Sequence, residues 1–141
     1  MAAKDEEDRL QIIVKELLDW AAYPDVCYFH PQNEGKRSKL QGWIAKAKGM
    51  LPGTADWIIV CRGHPIAIEL KPKRKRGKRV ELLAGEPQSE AQQAFEKNWK
   101  AAGGSYYLCH GYAETVEKLE WLRIIKPVKG SSRFEPRIHA A

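Results

Sequence analysis

The sequence has 141 residues, of which 43% are hydrophobic and 30% charged. That balance belongs to globular chains, and the length is one domain by the prior of roughly 100–200 residues each. Its apolar runs fall far short of the roughly 20 residues of a membrane helix. The opening MAAKDEEDRL holds four acids and no apolar core, which predicts no secretory signal.

Lys and Arg number 24 against 18 Asp and Glu, a net charge of +6. The run KRKRGKR, Lys73 to Arg79, holds six basic residues and no acid, and outside it the two signs balance. Charge this concentrated predicts a local polyanion contact, as in nucleic-acid binders. The plainer alternative is a solvated loop held open by its own repulsion. Cys27, Cys61 and Cys109 are odd in number and widely spaced, with no CxxC, which suggests neither a zinc site nor a disulfide framework. Their places in predicted strands imply buried, reduced thiols of a cytosolic protein.

In chain order, Leu10, Ile13, Val14, Leu17, Leu18 and Ala21 recur at helical spacing and predict an amphipathic helix from Asp5 to Ala22, stopped by Pro24. Its acidic first turn suits the helix dipole. Val26 to His30 is a predicted strand ended by Pro31, followed by the polar loop Pro31 to Ser38. Ser38 is placed to cap a short helix carrying Leu40, Trp43, Ile44 and Ala47 and ending at Gly49. Leu51-Pro52-Gly53-Thr54 reads as a turn with positive φ at the glycine. Asp56 to Cys61 and Pro65 to Lys71 form a β-hairpin around Arg62-Gly63-His64. After the basic loop, Ser89 opens a helix with the stripe Phe95, Trp99 and Ala102, closed by Gly103-Gly104. Ser105 to Cys109 is a strand, and Tyr112 to Ile125 a last helix with Val116, Leu119 and Leu122. The order helix, strand, short helix, strand, strand, helix, strand, helix predicts an α/β fold on a small mixed sheet.

The chemistry concentrates at the hairpin. A turn centred on Gly63 places residue 56 opposite 70; a two-residue turn at Gly63-His64 places it opposite 71. Either register brings Asp56 near Glu69. Glu69 and Lys71 share one face of their strand, while Ile66, Ile68 and Leu70 take the other. Two acids and a lysine at one end of an apolar hairpin suit phosphodiester hydrolysis. Hard cations such as Mg²⁺ take one or two carboxylates plus substrate phosphate, and a lysine beside them can orient water or offset transition-state charge. An exposed Asp–Lys cross-strand pair with Glu69 facing solvent is the alternative. Glu6 and Glu7 flank the first helix's stripe, each about 50° from its centre, so either could lean over the sheet edge. Gln92 lies on the stripe of its helix, yet Ser89-Glu90-Ala91-Gln92 is also a capping box. His30 and His64 are candidate phosphate contacts or plain structural histidines.

Together these residues resemble the PD-(D/E)xK nuclease superfamily and, more narrowly, the virus-type replication–repair nuclease (VRR-Nuc) domain. Four blocks carry the resemblance, which spans residues 6–122: Glu7-Asp8-Arg9-Leu10-Gln11; His30-Pro31-Gln32-Asn33-Glu34-Gly35; Gly53-Thr54-Ala55-Asp56 with Glu69-Leu70-Lys71 thirteen residues on; and Ser89-Glu90-Ala91-Gln92. The family's usual proline before the aspartate is Ala55 here, and Trp57 replaces a small aliphatic residue. The resemblance implies a PD-(D/E)xK-like (restriction-endonuclease-like) core in a single nuclease domain, residues 1–125, with a tail, 126–141, that is loose or packed on a partner. It implies a metal-dependent DNA endonuclease, with Asp56, Glu69 and the Leu70 carbonyl as ligands of Mg²⁺ or Mn²⁺. Lys71 would position the water, Glu7 would be the helix-borne acid, and Gln92 would sit beside the site. Stand-alone members resemble Holliday-junction resolvases and act as homodimers on branched DNA, which implies a cytoplasmic setting in a bacterium or phage-infected cell. Two symmetric nicks need two symmetric sites. Lys73, Arg74, Lys75, Arg76, Lys78 and Arg79 would hold DNA beside the scissile phosphate without reading sequence. Asn33, Lys36 and Arg37 form a second candidate contact, for which an ordinary surface loop is the alternative.

Two other classes compete. A non-catalytic nucleic-acid-binding module would use the basic loop, residues 73–79, and bind DNA without metal or scission. A small interaction protein would dock that loop on an acidic partner and show no salt-sensitive DNA affinity. A cysteine hydrolase on Cys109-His110 is poor, because adjacent strand residues point to opposite faces.

Overall fold

The computed structural model describes residues 3–31, 38–73 and 87–128. The elements are α1 (Ala3–Ala21), β1 (Val26–Phe29), α2 (Lys39–Ala47), β2 (Trp57–Cys61), β3 (His64–Lys71), α3 (Glu90–Ala101), β4 (Ser105–His110) and α4 (Gly111–Trp121). Their order is the one the periodicity predicts. The strands form one mixed sheet in the order β1-β2-β3-β4, antiparallel except for the parallel pair β3–β4. No helix among the described residues is long and apolar enough to cross a membrane.

Two apolar layers cover the sheet. On one face Val14, Leu17 and Leu18 of α1 and Leu119 of α4 pack on Ile59, Ile66, Ile68 and Leu70. On the other, Phe95 and Trp99 of α3 pack on Ile58, Ala67 and Tyr106. Strand alternation thus sends Leu70 to the first layer and Glu69 and Lys71 toward the α3 side.

The hairpin turn departs from both expected registers. Cys61 pairs with His64 and Trp57 with Ile68, so the turn is Arg62-Gly63 and the same register brings Asp56 level with Glu69. Both turn residues have positive φ, 49° and 80°, the I′ conformation that matches strand twist. Arg62 is held in this strained region by its guanidinium, which donates to Asp25 Oδ1 at 3.0 Å and to the Arg123 carbonyl at 2.7 Å.

The last helix is also shorter than predicted. It ends at Trp121, where Arg123 (φ 57°) takes the left-handed position. The Arg123 N–H bonds the Glu120 carbonyl at 3.0 Å and the Ile124 N–H that of Leu119 at 2.9 Å, a Schellman closure with arginine in the usual glycine place. The reversal drives Ile124 and Ile125 into the core, 0% and 1% exposed, and Ile125 bridges Ala22. Ile124→Ala is therefore expected to cost about 2–5 kcal/mol of stability, read by urea unfolding. The predicted tail begins packed: the Lys126 N–H bonds the Ala21 carbonyl, and Val128 packs on the core. Residues 129–141 lie outside the described residues.

Several apolar positions named from the sequence, and Cys27, lie exposed. Ile13 is 43% exposed, at the edge of the α1 stripe. Cys27 is exposed because β1 is an edge strand and α3 lies over the far side of that face; Cys61 and Cys109 are buried and reduced as expected. Helix α2 forms with the Ser38 capping box, yet buries none of its residues, and Leu40 and Trp43 are exposed.

Candidate active site

The site sits where β2 begins and β3 ends, between the Glu7–Gln11 stretch of α1 and the first turn of α3. Asp56 directly precedes β2, and its Oδ2 accepts the Leu70 N–H at 2.7 Å. The Asp56 carboxylate is thus tied to the β3 backbone next to Glu69. Beneath Asp56, the His30 ring donates from Nδ1 to the Asp56 carbonyl at 2.5 Å and packs on Trp57. His30 is therefore a support of the site. His64 lies at the other end of β3, on Ser105 Oγ at 2.6 Å, away from the acids.

Glu69 is 3% exposed and Lys71 8%, which removes the alternative of a solvent-facing pair. Burial above all, and then the Asp56 charge, push the Glu69 carboxyl up to about 8; Lys71 pulls it back and Glu7 adds to the rise. Oε1 of Glu69 accepts from Gln92 Nε2 at 2.6 Å. Oε2 is buried and has no hydrogen-bond partner among the described residues.

Gln92 reconciles its two readings. Its Oε1 accepts the Ser89 N–H at 2.9 Å, which completes the capping box, while Nε2 reaches Glu69. A carboxamide has an acceptor end and a donor end, and this one uses both.

Glu7, Gln11, Asp56, Glu69, Leu70, Lys71 and Gln92 line one cleft of about 180 Å³. Of the two acids flanking the α1 stripe, Glu7 lines the cleft. Gln11, which closes the same block of the resemblance and follows Glu7 by four residues on the helix, joins the cleft wall as a residue with no role expected from the sequence. Lys73 is exposed, with its side chain against Gly111. Asn33, Lys36, Arg37, Arg74, Lys75, Arg76, Lys78 and Arg79 lie outside the described residues.

Among the described residues no three His, Cys, Asp or Glu side chains form a ready metal cage. The donors at hand are the Asp56 and Glu69 carboxylates, with Glu7 and Leu70 on the cleft wall. This set fits a hard cation that keeps several waters and takes one or two carboxylates. The bare, buried Oε2 of Glu69 is the acceptor such an ion would satisfy.

No protein-family model and no curated protein matches the chain. A solved structure titled "VRR_NUC domain protein" does, at 16% identity and a TM-score of 0.60, over 81% of this chain and 84% of that one. At that identity the likeness speaks for the fold. The mixed sheet, the helices on both its faces and this alignment agree on one conclusion: the chain has a VRR-Nuc-like, restriction-endonuclease-like fold.

Proposed function

We propose that the chain is a metal-dependent DNA endonuclease acting on branched DNA such as Holliday junctions, as a homodimer, in the cytoplasm of a bacterium or phage-infected cell. The observation that carries the reading is the buried Glu69, with one oxygen fixed by Gln92 and the other bare, beside Asp56 and Lys71 in one cleft. Asp56 and Glu69 would hold Mg²⁺ or Mn²⁺, with the Leu70 carbonyl as a further ligand. The ion would supply charge to polarise the phosphoryl group and activate water. Gln92 holds the Glu69 carboxylate in one orientation, so little reorganisation remains during reaction. Lys71, buried beside Glu69, orients the attacking water and offsets charge growing on the phosphorus oxygens. Glu7 and Gln11 close the cleft from α1. Lys73 and the basic residues that follow give affinity that falls with salt and does not depend on base sequence.

A cleavage assay on a four-way junction, a flapped duplex, a nicked duplex and plain duplex, with Mg²⁺, Mn²⁺ or EDTA, tests the reading. Paired symmetric nicks on the junction are expected, lost in EDTA. Asp56→Ala and Lys71→Ala should each lower cleavage by at least about 10²–10³-fold while the junction is still bound. Binding without scission under every metal condition would replace the nuclease by a nucleic-acid-binding module.

A further inference from the structure

We infer that Gly53 is a positioning residue of the site: its bare backbone lets the turn before Asp56 rest on the first turn of α3, and that contact sets where Gln92 meets Glu69. Gly53 has φ +76°, and a Cβ built on it would overlap the Ala91 carbonyl group and lie 2.6 Å from Gln92 N. The obstacle is backbone, which no rotamer change can clear. The turn itself is braced by Thr54 Oγ1 donating to the Leu51 carbonyl at 2.6 Å. Ala55, 1% exposed, then runs under Phe95 of α3.

On the helix side the carboxamide has no free orientation. Its Oε1 is committed to the Ser89 N–H, so its donor end faces Glu69 Oε1. Gly53 thus stands three residues from Asp56 on one side and against the residue that orients Glu69 on the other. Any side chain at 53 lifts the α3 N-terminus and withdraws Nε2 from Glu69. The glycine requirement comes from this close approach as well as from φ.

The consequence for cutting rests on the nuclease reading; the consequence for geometry does not. Gly63 is a matched control, with φ +80° and nothing among the described residues within 4 Å of its Cβ position. Asn tolerates positive φ but carries a Cβ, so Gly53→Asn and Gly63→Asn share the backbone demand and differ in the collision. In ¹⁵N-labelled, metal-free protein, the Gln92 side-chain amide is expected to lose its hydrogen-bonded chemical shift in Gly53→Asn and keep it in Gly63→Asn. Cleavage should fall by about 10²-fold in the first and stay within twofold in the second. A Gln92 signal unchanged in Gly53→Asn, or equally changed in both, overturns the proposal. Should Gly53→Asn fail to fold, the wild type decides: a strong NOE between the Gly53 α-protons and the Gln92 backbone amide is expected, and its absence overturns the proposal. A wild type that cuts no DNA would sink the nuclease reading and leave both spectroscopic results standing.

Discussion

Glu69→Gln is expected to abolish cleavage and at the same time to make the metal-free protein more stable at pH 8. The carboxyl of Glu69 titrates at 4.5 in its ordinary state and at about 8 in the folded protein. Between those values the folded chain holds a proton that the unfolded chain has released, so stability falls as pH rises from about 4.5 to about 8 and levels off above. The loss is on the order of a few kcal/mol. Glutamine keeps the shape without the charge and flattens the profile. Melting temperatures from pH 5 to 8.5 in EDTA check this: a falling curve for wild type, a level one for Glu69→Gln. Mn²⁺ at pH 8 should restore the wild type and leave the variant unmoved. Parallel curves would show that Glu69 is not the buried acid at issue.

Gln92→Glu separates the two bonds that residue makes. Glutamate serves the third position of a capping box as well as glutamine does, so α3 keeps its start. The donor to Glu69, however, becomes a second carboxylate against an oxygen that Nε2 now meets at 2.6 Å. At pH 8 the change is expected to cost about 2–4 kcal/mol and to lower cleavage by about 10²-fold or more. Stability should partly return near pH 5, where the two carboxyls can share a proton. A residue that only capped the helix would show none of this, and chemical denaturation at the two pH values distinguishes the cases.

Much of the architecture was legible because hydrophobic period and turn chemistry agree along this chain. The α1 stripe, the Ser38 and Ser89 caps and the two-residue periodicity of β3 each name an element and a face. The misplaced boundaries share one cause. Arg62 and Arg123 both occupy left-handed positions that sequence rules reserve for glycine, and they meet in space, the guanidinium of one on the carbonyl of the other. A tertiary contact overrode a local preference, moving the hairpin register and ending α4 early. At the site, residue types and spacing named Asp56, Glu69 and Lys71. The resemblance alone chose Glu7 and set Gln92 beside the site, and the two ends of the Gln92 amide show that it caps the helix as well. Nor can periodicity tell whether an apolar stripe finds cover: α2 has the pattern and stays exposed.

The single parallel pairing has a consequence in time rather than in space. β1, β2 and β3 are joined by antiparallel neighbours, and the hairpin that brings Asp56 level with Glu69 closes over a two-residue turn. β4 reaches β3 only through the crossover of residues 72–104, which carries α3 and therefore Gln92. Local pairings close sooner than long ones, so the two acids come together before the amide that orients one of them arrives. During synthesis the chain would thus emerge with its acids paired and its chemistry unarmed. The complete cleft is therefore expected to assemble late in folding, once α3 has docked.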